Sequence, residues 1–212
     1  MKKLLLLFTI LLMPLFFAFG QNESIELNPA YADINVTKDN QMVQDLLSTN
    51  KKLVNKAVKK VLKNLDAYNP TVLYVLSNVY FEENRDEASK IFYIGQLRAR
   101  IDANICQDPT AGEAVSLLNQ QFGPIINSYG FGNMENLKEI VSKAIDHVRK
   151  NKVTYDHRWI NLHGMKAFTG KGDETYTAPK EDWDEIIRKT IEDYENGFNE
   201  VLKKYEEMQQ ER

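Results

Sequence analysis

Residues 69–103, NPTVLYVLSNVYFEENRDEASKIFYIGQLRARIDA, decide how the chain is read. Asn69-Pro70 closes the segment before it, because the residue preceding a proline is pushed out of the helical region. Thr71 to Glu83 and Arg85 to Ile105 then carry apolar residues at helical spacing. The join, Glu82 to Glu87, is short and polar, so the two helices are expected to fold back on each other. In the second, Ile91, Phe92, Tyr93, Ile94, Leu97, Ala99, Ile101 and Ala103 surround the axis, which predicts a central, enclosed helix.

Within this stretch Ala88, Phe92 and Gly95 place a small residue, an aromatic four later and a small residue three later again. With the polar turn before them and with Leu76 and Tyr80, this resembles a tetratricopeptide or Sel1-like repeat hairpin over about residues 69–103. Glu83 stands where that pattern has a turn glycine, and Val72 stands where it has a tryptophan. No second copy occurs at the repeat step. The resemblance implies a helical hairpin and a scaffold that binds a protein or peptide in a groove without catalysis.

Outward from the hairpin the same period continues. Leu46, Leu47, Leu53, Val54, Ala57, Val58, Val61, Leu62 and Leu65 form one stripe, with Ser48 or Thr49 as a break. Thr110 and Glu113 have the spacing of a capping box opening a helix to about Gln121. Gly123, Pro124, Gly130 and Gly132 punctuate the next ten residues. Asn133 caps a helix with Leu137, Ile140, Val141, Ala144, Ile145 and Val148 inward. Pro179 opens a long last helix from Trp183 to Met208. The expected fold is all-α: a helical array or bundle of six to eight helices with a tetratricopeptide-like hairpin and a long C-terminal helix.

The chain begins Met1-Lys2-Lys3, runs apolar from Leu4 to Phe19 with Pro14 inside, and reaches Ala18 and Gly20 at small-residue cleavage positions. That is the pattern of a secretory signal peptide over residues 1–20, with Gln21 as the mature start. An extended lead-in is expected over 21–40 and a single helical domain over 41–212. The single cysteine, Cys106, lies far from the apolar run, which excludes a lipobox anchor, and it cannot form an internal disulfide. Cleavage removes two of 27 basic residues and none of the 30 acidic ones, which excludes a global basic excess for nucleic acid. The expected location is periplasmic or secreted, with membrane contact only through the transient signal peptide.

The segment 152–178 has no helical period and holds Gly164, Gly170 and Gly172 together with Tyr155, Trp159, Phe168 and Tyr176. Long irregular stretches inside compact domains are usually functional. Its start concentrates Asp156, His157, Arg158, Trp159 and His163. These, with Arg98 and Asp102 one turn apart on the central helix, are the candidate ligand-binding residues. The competing reading is that Trp159, Ile160 and Leu162 plug the core. Asp102 is the expected partner of a buried Arg98, since a buried cation needs one. His157 and His163 lack a metal-ligand spacing, no serine sits in a glycine-flanked elbow, and no catalytic residue, metal or cofactor is assigned. The leading expectation is an exported, non-enzymatic binding protein or adaptor for a protein or peptide partner in the cell envelope. The alternative is a small envelope enzyme or ligand-binding protein with its site where the His157–His163 segment lies over Arg98. A pocket where His157 or His163 meets Arg98, Asp102 or Asp156 distinguishes the alternative; a broad groove along the hairpin distinguishes the adaptor.

Overall fold

A computed structural model describes residues 31–169 and 176–210. The expected signal peptide, the first part of the lead-in and residues 170–175 lie outside them. The fold is all-α: α1 (Thr37–Leu46), α2 (Lys51–Lys63), α3 (Pro70–Tyr80), α4 (Arg85–Ile105), α5 (Glu113–Phe131), α6 (Met134–Lys150), the single turn α7 (Lys166–Thr169) and the long α8 (Trp183–Gln210). Three-residue-per-turn helices at Leu65–Ala67, Pro109–Gly112, His157–His163 and Lys180–Asp182 connect them. Among the described residues no helix is long and apolar enough to cross a membrane.

The side chains of α4 explain the architecture. Apolar groups point from this helix in every direction, so it must be covered all round, and α3, α5, α6, α8 and the 157–163 turn pack against it. Leu73, Leu76, Ile91, Phe92, Ile94, Leu97 and Ile126 lose essentially all contact with solvent. The hairpin packs closely at Gly95, where a Cβ would lie 3.1 Å from the Leu73 Cβ and 3.6 Å from the Tyr74 ring. Phe92 fills the gap beyond it, edge-to-face with Tyr74 at 5.2 Å. A small residue thus lets the two helices approach while an aromatic fills the space beside it.

Several boundaries differ from the sequence reading, among them α3, which stops at Tyr80 short of the expected Glu83. α1 starts at Thr37, inside the expected lead-in, and Asp39 on it is buried because it accepts a 2.9 Å hydrogen bond from the Asn69 amide at the start of α3. α5 runs unbroken through Pro124. Proline removes the bond to the carbonyl four residues back, but Pro124 and Gln120 both face solvent, so water can satisfy the freed oxygen. Burial of Ile126 and the seating of Gly123 against Phe92 hold the helix on its packed side. The expected capping box is replaced by Asp108. Its carboxylate accepts from the Thr110 amide at 3.0 Å and the Thr110 hydroxyl at 2.6 Å, leaving Thr110 to accept from the Met165 amide at 2.8 Å. Asn133, by contrast, caps α6 as read, accepting from the Asn136 amide.

Candidate ligand cavity

The segment expected to be irregular is partly ordered into the 157–163 turn and α7, and it docks along α4. Asp156 starts the turn by accepting from the Arg158 amide at 2.9 Å. Farther on, Gln107 and Ala178 donate backbone hydrogen bonds of 2.8 Å to Tyr176 and Ile105, pinning the return leg to the end of α4. Trp159 and Ile160 are buried, 2% and 0% exposed, so the packing reading holds for these two side chains.

The polar side chains between them converge on Asp102. This carboxylate is fully buried on α4 and is reached by three rings from alternate residues of one segment. Trp159 Nε1 donates to Oδ2 at 2.6 Å and the Tyr155 hydroxyl donates to the same oxygen at 3.0 Å. His157 Nδ1 lies 2.5 Å from Oδ1. Burial raises the Asp102 carboxyl pKa, against the opposing pull of the three hydrogen bonds. Burial and the adjacent Asp102 charge drive the Tyr155 hydroxyl well above its ordinary value. With an ionised Asp102, His157 is the donor to Oδ1. That places a proton on Nδ1, and in a neutral ring the lone pair is then on Nε2. Nε2 has no hydrogen-bond partner among the described residues and is not sealed from solvent.

Solvent reaches His157 through a cavity of about 900 Å³ between α4, α6, the chain that leaves α6 and the first half of α8. Its apolar wall is Ile101, Val148, Ile187, Ile191 and the Trp183 ring, which stands edge-to-face with His157 at 5.3 Å. Five cationic side chains, Arg98, Arg149, Lys152, Lys180 and Arg188, line it against two acidic ones, Asp184 and Glu192. Arg149 is paired with Glu195 at 2.6 Å, and Arg188 with Glu185 and Glu192 at 2.6 Å each. Lys152 and Lys180 make no ion pair among the described residues. The volume falls in the range of small-molecule sites. A smaller cleft of about 410 Å³ between α4, α5 and α8 carries no histidine.

Of the residues singled out from the sequence, Asp102, His157 and Trp159 come together in one network. Arg98 does not join Asp102. It is 1% exposed, and its Nη atoms bind Asp66 and, at 3.2 Å, the Leu65 carbonyl. One helical turn separates Arg98 from Asp102, but three ring donors already fill the Asp102 oxygens, so the guanidinium turns to the connection before α3. His147 Nε2 adds a 2.8 Å contact to the same Asp66 oxygen. Burial opposes ionisation of Asp66, yet the hydrogen bonds from Arg98 and His147 outweigh it and lower its pKa. Arg158 forms a clip with Asp156 at 2.7 Å and Asp33 at 2.9 Å. His163 is exposed, edge-to-face with Trp159 at 5.5 Å, and does not line the cavity.

Lys152, Lys180 and Trp183 complete the site without having been singled out, and Tyr155, noted from the sequence only as one of the segment's aromatics, joins them. The alternation of rings at 155, 157 and 159 is the signal that could have found Tyr155. The lysines carry no local signal, because only the fold brings residue 152 beside residue 180. Among the described residues no three His, Cys, Asp or Glu side chains are grouped to hold a metal ion. No protein-family model, curated protein or solved structure matches the chain.

Proposed function

We propose that this is a binding protein for a small amphipathic anion, held in the cavity between α4, α6 and α8. The observation that carries the reading is the division of one cavity into an apolar wall and a cationic rim, on which Lys152 and Lys180 lack ionic partners among the described residues. An apolar body buried against Ile101, Val148, Ile187 and Ile191 gains about 25 cal/mol per Å² removed from water. An acidic head at the rim meets these two lysines. The adaptor reading has less support, since α4, the second helix of the hairpin, is packed by α3, α5, α6 and α8. With export directed by residues 1–20, the ligand is one met in the envelope or outside the cell.

The test is binding of anilinonaphthalene sulfonate, an amphipathic anion that fluoresces in apolar surroundings. One saturable site is expected, weakened when Ile187→Trp narrows the cavity. The double variant Lys152→Glu/Lys180→Glu should weaken binding about tenfold in a salt-sensitive manner, from roughly 0.5–1 kcal/mol per exposed charge. Both lysines are exposed, so the fold should be unaffected. Dye binding indifferent to Ile187→Trp would sink the cavity reading.

A further inference from the structure

Resting on that reading, we propose that the cavity selects a carboxylate with an apolar body, its head seated on His157 Nε2, and that the His157–Asp102 pair takes up one proton as the ligand enters.

Asp102 sets the requirement. A carboxylate fully removed from water needs donors around it, and a counter-charge stabilises it further. Here the donors are Tyr155, His157 and Trp159, and His157 is the one of the three that can also carry the positive charge. Neutral His157 presents the Nε2 lone pair to the cavity, which repels the lone pairs of a carboxylate. Protonated His157 presents an N–H there instead. The imidazolium then lies between two anions, with Asp102 on Nδ1 and the ligand on Nε2, and both hydrogen bonds become charge-assisted. Ligand and proton therefore bind with positive coupling, and each must raise the affinity for the other.

Other charges facing the ring do not supply this counter-charge. On α4, Arg98 is neutralised by Asp66. The chain neighbour Asp156 is held by Arg158. From α6 and the chain after it come Arg149, already on Glu195, and Lys152. From the α8 side come Lys180, Asp184, Arg188 and Glu192, the last two paired with each other. Lys152 and Lys180 thus attract the anion to the mouth, while the donor deeper in the cavity is His157, 14% exposed. A single N–H suits a carboxylate better than a phosphate dianion, which needs several donors. The walls of Ile101, Val148, Ile187 and Ile191 demand an apolar remainder.

The experiment is calorimetric titration of the full chain at pH 8 with octanoate, octyl phosphate and octanol. Repeating the octanoate titration in buffers of different ionisation enthalpy reads the protons taken up. The expected result is octanoate bound at least about tenfold more tightly than octanol, a difference of about 1.4 kcal/mol, with uptake approaching one proton per ligand. In Asp102→Asn an amide faces Nδ1, and uptake should vanish as octanoate affinity falls about tenfold. His157→Gln should do the same, and it keeps the test open if Asp102→Asn does not fold by circular dichroism. Octanoate binding without proton uptake, or octyl phosphate bound more tightly than octanoate, overturns the inference and leaves the cavity reading standing. If neither the alkyl ligands nor the sulfonate dye bind, both fall.

Discussion

Removing the Asp102 side chain strands three donors at once, and their fates differ. In Asp102→Ala, Tyr155 and His157 border the cavity and can turn to water, whereas Trp159 is 2% exposed and its indole N–H can only donate. One fully orphaned buried donor costs about 1–3 kcal/mol, and the lost hydrogen bonds to a charged group contribute about 1.5–3 kcal/mol more. Relief of the burial penalty on the carboxylate returns part of this, so the net expectation is about 3–4 kcal/mol. Asp102→Asn behaves differently. Its oxygen can occupy the Oδ2 position and keep both Trp159 and Tyr155, while its amide faces Nδ1 of a His157 that has moved its proton to Nε2. The cost should be about 1 kcal/mol, chiefly lost charge assistance. Urea unfolding followed by circular dichroism and by fluorescence of the two tryptophans measures both. With a slope of about 2 kcal/mol per molar, the alanine midpoint should fall by about 1.5–2 M and the asparagine midpoint by about 0.5 M. Equal shifts in the two variants would refute the view that unsatisfied donors, and not the missing charge, dominate.

Asp66→Ala should cost about 3–5 kcal/mol by leaving Arg98 buried with only the Leu65 carbonyl. Because the folded Asp66 pKa is lowered, its contribution is fully present above the unfolded value near 3.8 and is lost as pH falls through the folded value. The stability gap between wild type and Asp66→Asn should therefore be constant from pH 5 to 7 and close below about pH 4 in urea titrations. Gly164→Ala would drive a Cβ into Oδ2 of Asp108, which also accepts from the Lys166 amide at 2.8 Å. Displacing that carboxylate should lower stability by about 2–4 kcal/mol in thermal melts, the range for several broken buried hydrogen bonds. Gly197→Ala, mid-α8 with open space around its Cβ position, should instead raise stability by about 0.5–1 kcal/mol in the same melts.

The central helix was legible because its apolar residues surround the axis, a pattern that forces burial wherever the neighbours come from. Asn133 was legible because a cap is local. Pro124 misled because a proline is a local signal, while the continuity of α5 is decided by Ile126, Gly123 and Phe92 across a helix interface. At the site, His157, Trp159 and Asp102 were legible as polar or aromatic residues in places that call for an explanation. Asp66 was not. It lies in a short turn without periodicity and becomes the Arg98 partner only when the chain before α3 folds over α4.

The three rings that meet on Asp102 also set how the cavity wall can move. Tyr155, His157 and Trp159 are nearly consecutive and share one acceptor, so releasing any of them weakens the hold on the others. Breathing of this wall is then an all-or-none event in which residues around 155–163 detach together as one cooperative opening unit. The backbone amides across that stretch should exchange with solvent hydrogen at a common rate. Because solvent already reaches His157 through the cavity, a ligand there can leave without this opening, and its release and the exchange of these amides should proceed at separate rates.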